Sequence, residues 1–222
     1  MPDPVPGDVA RFVRAVGPQP DPLLAEMAAH GEESAVPTVG PAVGGWLALL
    51  ARLADARRVF EFGSGFGYSA YWFARVLPAD GEVVLTEVDE GELDRAREYF
   101  EQGGLADRAT FEHGDAIEIV AAYEGPFDAV LIDNEKHRYG EAFDAVREKV
   151  PAGGVVIADN VVGGPIDFEA LVGIVAGEGD PAVADADTRG VADYLARVRA
   201  DPDFETAVVP VGEGIAVSHR TD

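Results

Sequence analysis

The chain has 222 residues and 23.4 kDa, is 47% hydrophobic and holds no cysteine, so it has the size and apolar content of one globular core while disulfides, iron–sulfur clusters, thiolate metal sites and a cysteine nucleophile are excluded. Its 41 Asp and Glu against 17 Lys and Arg leave a net charge of −24 and a pI near 4.3, a field that repels nucleic acid and anionic membranes. Lys136 and Lys149 are the only lysines, and an acidic, lysine-poor surface of this kind is expected of a protein adapted to high intracellular salt.

The opening MPDPVPGDVARF has neither a basic start nor an apolar segment, so no secretory signal is expected and the location reads as cytoplasmic. Six prolines fall in the first 22 residues, which makes residues 1–37 an appendage of short extended pieces around one helical turn set with Val9, Phe12, Val13 and Val16. The longest strictly apolar run, 46–51, is far shorter than a membrane span. Over 46–53 the residues Trp46, Leu49, Leu50 and Leu53 follow helical spacing, and RRVFEF then reads as a buried strand.

The alternation repeats with a helix over 68–77 and strand 82–87, a helix over 91–102 and strand 109–113, a short helix near Ile117 and strand 127–133, and a helix over 139–150 and strand 154–159. Tyr139, Phe143, Val146 and Val150 share one face of the helix over 139–150. Near-continuous apolar strands separated by helices predict an α/β fold whose parallel sheet is covered on both faces and joined by right-handed crossovers. Residues 161–190 are rich in Gly, Pro and Asp and read as a long loop, followed by a helix with Val191, Tyr194, Leu195 and Val198. FETAVVPV and GIAVSH, separated by Gly212 and Glu213, read as an antiparallel hairpin at the sheet edge. No repeat and no second domain is visible, so 1–222 reads as one domain with its main fold over 38–222.

In an open parallel sheet the ligand sits beyond the carboxyl ends of the strands. Four acids close predicted strands there: Glu61, Glu87, Asp133 and Asp159. The turn Gly63-Ser64-Gly65-Phe66-Gly67-Tyr68-Ser69 after the first strand brings backbone close to a ligand and aims helix N–H groups at it. A dinucleotide fingerprint would need a sixth-position glycine, which is Tyr68 here. With Glu87 placed to accept ribose hydroxyls, the turn indicates a nucleoside ligand, and the acidic balance suits a cationic one.

The fourth and fifth strands should be neighbours about 4.8 Å apart, which brings Asp133 to the pair Asp159-Asn160. Two carboxylates and an amide oxygen suit Mg²⁺ or another divalent cation, while Asp-Asn is equally an ordinary strand-ending turn. His30, His113, His137 and His219 show no zinc-ligand spacing. Lys136, three residues past Asp133, reads either as a solvated lysine at a helix start or as a general base beside a cation.

EFGSGFGYSA, LTEVDEGELDRAREYF, LIDNEKHRY and VVIADNV together resemble the class I S-adenosylmethionine-dependent O-methyltransferases of the cation-dependent type, which include the catechol and caffeoyl-CoA enzymes. The likeness runs from about residue 38 to 218, and TVGPAVGG resembles the segment that covers the methionine end of the cofactor. It implies a Rossmann-like, doubly wound sheet of seven strands, mostly parallel with an antiparallel last strand. It implies further that Val39, Glu61, Gly63 and Ser69 hold the methionine part of S-adenosylmethionine, with Gly65 and Gly67 in the same cradle. Glu87 would take the ribose, and Gly114, Asp115 and Ala116 the adenine. Asp133, which also borders the cofactor, would bind the metal with Asp159 and Asn160, and Lys136 falls on the catalytic base. Asp133-Asn134-Glu135-Lys136 departs from the Asp-Ala-Asp-Lys or Asp-His-Trp-Lys frequent in the family, which bears on the acceptor.

The reaction implied is metal-assisted methyl transfer to a hydroxyl of a small vicinal-diol acceptor, with 161–190 as a candidate lid or else a salt-solvated insertion. A homodimer through the N-terminal appendage is a further expectation. Two other readings stand beside this one: a nicotinamide-dependent oxidoreductase, against which the missing third glycine and the edge hairpin weigh, and a nucleoside-binding module without chemistry.

Overall fold

In the computed structural model, which describes residues 5–222, strands β1 (Arg58–Phe62), β2 (Glu82–Glu87), β3 (Ala109–His113), β4 (Ala129–Ile132), β5 (Val155–Ala158), β6 (Phe204–Val209) and β7 (Ile215–Arg220) form one sheet. Their order is β3-β2-β1-β4-β5-β7-β6. The first five pair in parallel, β7 lies antiparallel to β5, and β6 closes the edge against β7. The expected mostly parallel α/β sheet with an antiparallel C-terminal hairpin is therefore what forms. The order in which strands are added to the sheet reverses between β1 and β4, and this switch point opens a crevice at the carboxyl ends of the strands.

Alternate strand residues face opposite layers, as the two-residue period requires. Val59, Leu85, Leu131 and Ile157 pack beneath α2 (Pro22–Ser34), α3 (Gly40–Leu53), α4 (Tyr68–Ala74) and α5 (Glu90–Gln102). Phe60, Phe62, Val130, Ile132 and Val156 pack beneath α6 (Ala116–Ala121), α7 (Tyr139–Val146) and α9 (Ala186–Ala200). Part of the acidic excess is structural. Asp21, Asp89, Asp115, Asp167 and Asp185 cap α2, α5, α6, α8 (Phe168–Ala176) and α9 with side-chain acceptors, each stabilising its helix by about 0.5–2 kcal/mol.

Several expectations are corrected. The appendage contains α1 (Gly7–Val16) and also α2, which the early prolines hid, and Leu24 and Met27 of α2 are wholly buried; residues 1–4 of the expected extended start lie outside the described residues. Pro22 sits at the first helical position of α2, where its missing N–H costs nothing. In α3 the buried stripe is Val43, Leu47, Leu50 and Ala51, whereas Leu49 and Leu53 are exposed, because a helix apolar on every side does not declare its inner face. Of the four apolar residues expected on one face of α1, Val9, Phe12 and Val16 are exposed and Val13 is half-buried.

The helix over 68–77 ends at Ala74, and the one over 139–150 ends at Val146 and continues as a 3-10 turn, Arg147–Lys149. The stretch 161–190 is not one loop: Val161, Val162 and Ile166 are buried, α8 occupies its middle, and α9 begins at Ala186. Gly177 ends α8 in the left-handed conformation, a C-terminal stop that reads as loop composition when no periodic stripe accompanies it. Among the described residues no helix is long and apolar enough to cross a membrane.

Candidate active site

The crevice is a cavity of about 790 Å³ lined by the turn after β1, the ends of β2 and β4, the residues after β5, and the β6–β7 turn. Gly63, Gly65, Ser69, Glu87, Gly114, Asp115, Ala116, Asp133, Lys136, Asp159 and Asn160 all line it, with Val39 closing one side. Gly67 and Glu61 do not. Gly67 begins α4 at φ +82°, and a Cβ there would meet Ala96 at 3.0 Å, so it is needed for packing under the turn. Gly63 has the same constraint from the other side: at φ +76° a Cβ would stand 3.0 Å from the Asp133 carbonyl oxygen. Close approach of the β1 turn to the β4 end thus requires glycine.

Glu61 lies wholly buried below the cavity wall, where Ser69 Oγ donates to its Oε1 and its Oε2 has no partner. Loss of hydration pushes its pKa up to about 8, against the lowering effect of the Ser69 bond and with smaller contributions from the Asp133 and Glu87 charges. An orphaned carboxylate oxygen at this depth fits a cationic ligand group.

Glu87 is held by backbone: Gly65 N–H donates to Oε2 at 2.8 Å, and Val88 and Asp89 N–H donate to Oε1 at 2.8 and 3.0 Å. Of roughly four acceptor positions on a carboxylate one stays open, so two ribose hydroxyls would both be accepted only by displacing one of these bonds. Asp115 caps α6 and also accepts from Arg138 Nη1 at 2.6 Å. The Arg138 guanidinium holds the Asp115 carboxyl below the usual carboxylate range.

At the β4 and β5 ends, Lys136 is 8% exposed and donates from Nζ to Asp133 Oδ1 at 2.7 Å and to the Asn134 carbonyl at 3.2 Å. Of the two readings of Lys136, the solvated one is overturned. Burial raises the pKa of Asp133 against the opposing Lys136 charge. Burial, with the Asp133 charge second, raises that of Asp159 well above its ordinary value. Asp159 Oδ1 is buried without a partner. Asn160 takes the left-handed conformation, φ +57°, and donates from Nδ2 to Glu213 Oε2.

An orphaned carboxylate oxygen, a second carboxylate and an amide whose nitrogen is already committed form a hard-oxygen set that fits a divalent cation. Among the described residues no cluster of three or more His, Cys, Asp and Glu is arranged around a cation position, so the fit rests on these three side chains.

The neighbouring helix sets the lysine in place. A Cβ at Gly190 of α9 would come within 2.3 Å of the Lys136 carbonyl oxygen and of His137 Cα, so only glycine lets α9 lie against this turn. Asp187 Oδ1 accepts from His137 N–H at 3.2 Å. Sequence reasoning missed Glu213 and Arg138. Glu213 reads in sequence as a plain hairpin turn; the usable signal is that an antiparallel β7 beside β5 must begin where β5 ends.

The O-methyltransferase family pattern matches residues 21–221. A catechol O-methyltransferase of Niastella koreensis is 35% identical over 129 residues, covering 56% of this chain and 58% of that protein's length. A catechol O-methyltransferase of Mycobacterium tuberculosis is 32% identical over 164 residues, covering 72% and 74%. Among solved structures, the O-methyltransferase TomG from Streptomyces achromogenes, involved in tomaymycin synthesis and in complex with SAM, superposes with a TM-score of 0.85 at 28% identity over 100% of both chains. Fold, cavity and sequence pattern agree, and the chain belongs to the O-methyltransferase family.

Proposed function

We propose that this protein is an S-adenosylmethionine-dependent, divalent-cation-assisted O-methyltransferase acting on one hydroxyl of a vicinal diol. The observation that carries the reading is the convergence of Lys136, Asp133, Asp159 and Asn160 on the cavity that the glycine turn and Glu87 also line. The bound cofactor supplies an electrophilic methyl group on a sulfonium. A divalent cation held by Asp133, Asp159 and Asn160 supplies Lewis-acid polarisation of the acceptor hydroxyls.

The chain's own residues do the rest. Glu61, protonated below about pH 8 while its Oε2 is without a partner, would ionise on the approach of a cationic group at the methionine end, with the Ser69 hydroxyl donating to its Oε1. Lys136 Nζ is the group placed to take the acceptor proton, and a protonated Nζ is held 2.7 Å from Asp133 Oδ1 and 3.2 Å from the Asn134 carbonyl. Burial of these groups keeps water from competing and strengthens their interactions. A reaction that neutralises opposite charges would be favoured by the dry, aligned setting that buried Lys136, Asp159 and Asn160 provide. The nicotinamide reading finds no support from the family match.

The test is methyl transfer to catechol with S-adenosylmethionine and Mg²⁺, with and without chelator, beside Asp159→Ala. Turnover abolished by chelation and by the substitution, with cofactor binding retained, is expected; turnover indifferent to both removes the cation from the reaction.

A further inference from the structure

Two turns of the cavity wall belong to different βα units and are joined by one side chain. Residues 114–116 follow β3 at the start of α6, and the 3-10 turn Lys136–Arg138 precedes α7. Gly114 N–H donates to the Glu87 carbonyl at 2.9 Å, so a nucleoside whose ribose rests at Glu87 lays its base along 114–116. Arg138, itself part of the cavity wall, reaches from one turn to the other: Nη1 donates to Asp115 Oδ2 at 2.6 Å, and Nε donates to Glu141 Oε2 at 3.1 Å. The other Asp115 oxygen, Oδ1, accepts from Ile117 N–H at 2.8 Å. The carboxylate thus joins the cap of α6 to the arginine, and at 31% and 26% exposure the pair is sheltered from full solvent screening.

Residues 114–116 hang from the edge of the sheet: β3 is its outermost parallel strand, none of the β3 residues is fully buried, and Gly114 takes φ +138°. A turn so placed is ordered by what it is tied to, and order present before binding spares a ligand the entropy of imposing it. The tie runs to the lysine: Arg138 ends the 3-10 turn that Lys136 begins. We propose that Arg138 is a positioning residue that makes the base-binding turn and the Lys136 turn one unit, so that a cofactor seated at 114–116 also fixes Lys136 for the acceptor. The proposal rests on the O-methyltransferase reading for the role of Lys136 and adds the residue that links that proton acceptor to the cofactor. An arginine serves here because its fork satisfies Asp115 and Glu141 at once, whereas a lysine carries a single nitrogen.

The experiment compares the wild type with Arg138→Gln, Asp115→Asn, the double variant and Glu141→Gln. Asn caps a helix as well as Asp does, so Asp115→Asn keeps α6 and removes only the partner charge. Glu141 is exposed and outside the cavity wall, which makes its variant the control. Three quantities are read: calorimetric affinity for S-adenosylhomocysteine, hydrogen exchange of residues 133–140 with and without it, and single-turnover methyl transfer to catechol with Mg²⁺ at saturating S-adenosylmethionine. If Arg138→Gln does not fold, Arg138→Lys, which keeps the charge and loses the fork, takes its place.

Arg138→Gln and Asp115→Asn are each expected to weaken S-adenosylhomocysteine by about tenfold, with the double variant no weaker than either. The ligand is expected to protect residues 133–140 in the wild type and in Glu141→Gln but not in the other variants. Methyl transfer in Arg138→Gln should remain at least about tenfold slow at saturation, which an arginine that merely supports 114–116 would not cause once the site is filled. Wild-type affinity in Arg138→Gln, losses that add in the double variant, protection of 133–140 that persists without the arginine, or a wild-type rate at saturation overturns the proposal. Should catechol not be methylated at all, the activity reading fails by itself, and the calorimetric and exchange results decide Arg138 by the same outcomes.

Discussion

Asn160 donates its amide hydrogen to Glu213 Oε2, 53 residues away in sequence, and so ties the end of β5 to the β6–β7 turn. Space for the pair exists because residue 164 is glycine: a Cβ there would stand 2.6 Å from Glu213 Oε2 and 3.0 Å from Asn160 Nδ2. Committing the nitrogen to a carboxylate turns the Asn160 carbonyl oxygen to the opposite side, the orientation a cation ligand needs. Glu213→Ala is therefore expected to lower Mn²⁺ affinity by about 10–100-fold. Electron paramagnetic resonance of free Mn²⁺ measures this without turnover, and an unchanged affinity would show that the contact does not orient the amide.

Removal of Lys136 isolates the proton step. Lys136→Ala is expected to slow single-turnover methyl transfer by about 10²–10⁴-fold with S-adenosylmethionine affinity nearly intact. Rapid-quench measurement at several pH values checks it. If the variant keeps the wild-type rate and pH profile, another group takes the proton.

Glu61 makes stability depend on pH. The folded state keeps its proton up to about pH 8, whereas the unfolded chain releases it near the ordinary value of 4.5, so folding takes up a proton between these limits. Its contribution to stability therefore declines as pH rises from about 4.5 to 8 and is flat outside that window. Glu61→Gln should flatten the melting-temperature profile across this range, and should weaken S-adenosylmethionine by at least about tenfold if Oε2 faces a cationic group, one pKa unit of differential interaction being tenfold. A variant with the wild-type pH slope contradicts the burial argument.

Gly190 is a mutational probe of the lysine's support. Gly190→Ala would set a Cβ 2.3 Å from the neighbouring backbone and force the two segments apart, so a destabilisation of about 1–3 kcal/mol and a loss of activity larger than the loss of folded protein are expected. Denaturant titration beside kcat separates the two. Wild-type activity in a stably folded variant would mean that α9 does not position Lys136.

The charge excess predicts salt dependence. Ion pairs such as Arg57–Asp80, Arg95–Glu98 and Arg197–Asp144 are exposed and contribute about 0–1 kcal/mol each, too little to offset the repulsion of a −24 chain at low ionic strength. The melting temperature is expected to rise steadily from dilute buffer to molar KCl. A calorimetric midpoint independent of KCl removes the salt-adaptation reading.

The central strands and the helices with a single apolar stripe were legible because their periodicity is local: Tyr139, Phe143, Val146 and Val150 are all buried as spaced. Helices α2 and α8 were not. Prolines at the start of one and glycines around the other mimic loop composition, and neither offers a narrow apolar stripe. The same ambiguity misplaced the buried face of α3. Among site residues, those at strand ends could be placed by counting βα units, while Glu213 required knowing which strand β7 joins.

The amino-acid sequence by itself determined the alternation of the central strands and helices, the glycine turn, and the acids that close the strands, because each depends on neighbours within a few residues. Only the tertiary structure decided that Lys136 is buried against Asp133, that Glu213 holds Asn160, and that residues of α1 and α8 line one cavity. The last two relationships join segments far apart in the chain, and packing of the whole sheet, with glycines at 164 and 190 permitting close approach, is what forms them and buries the lysine.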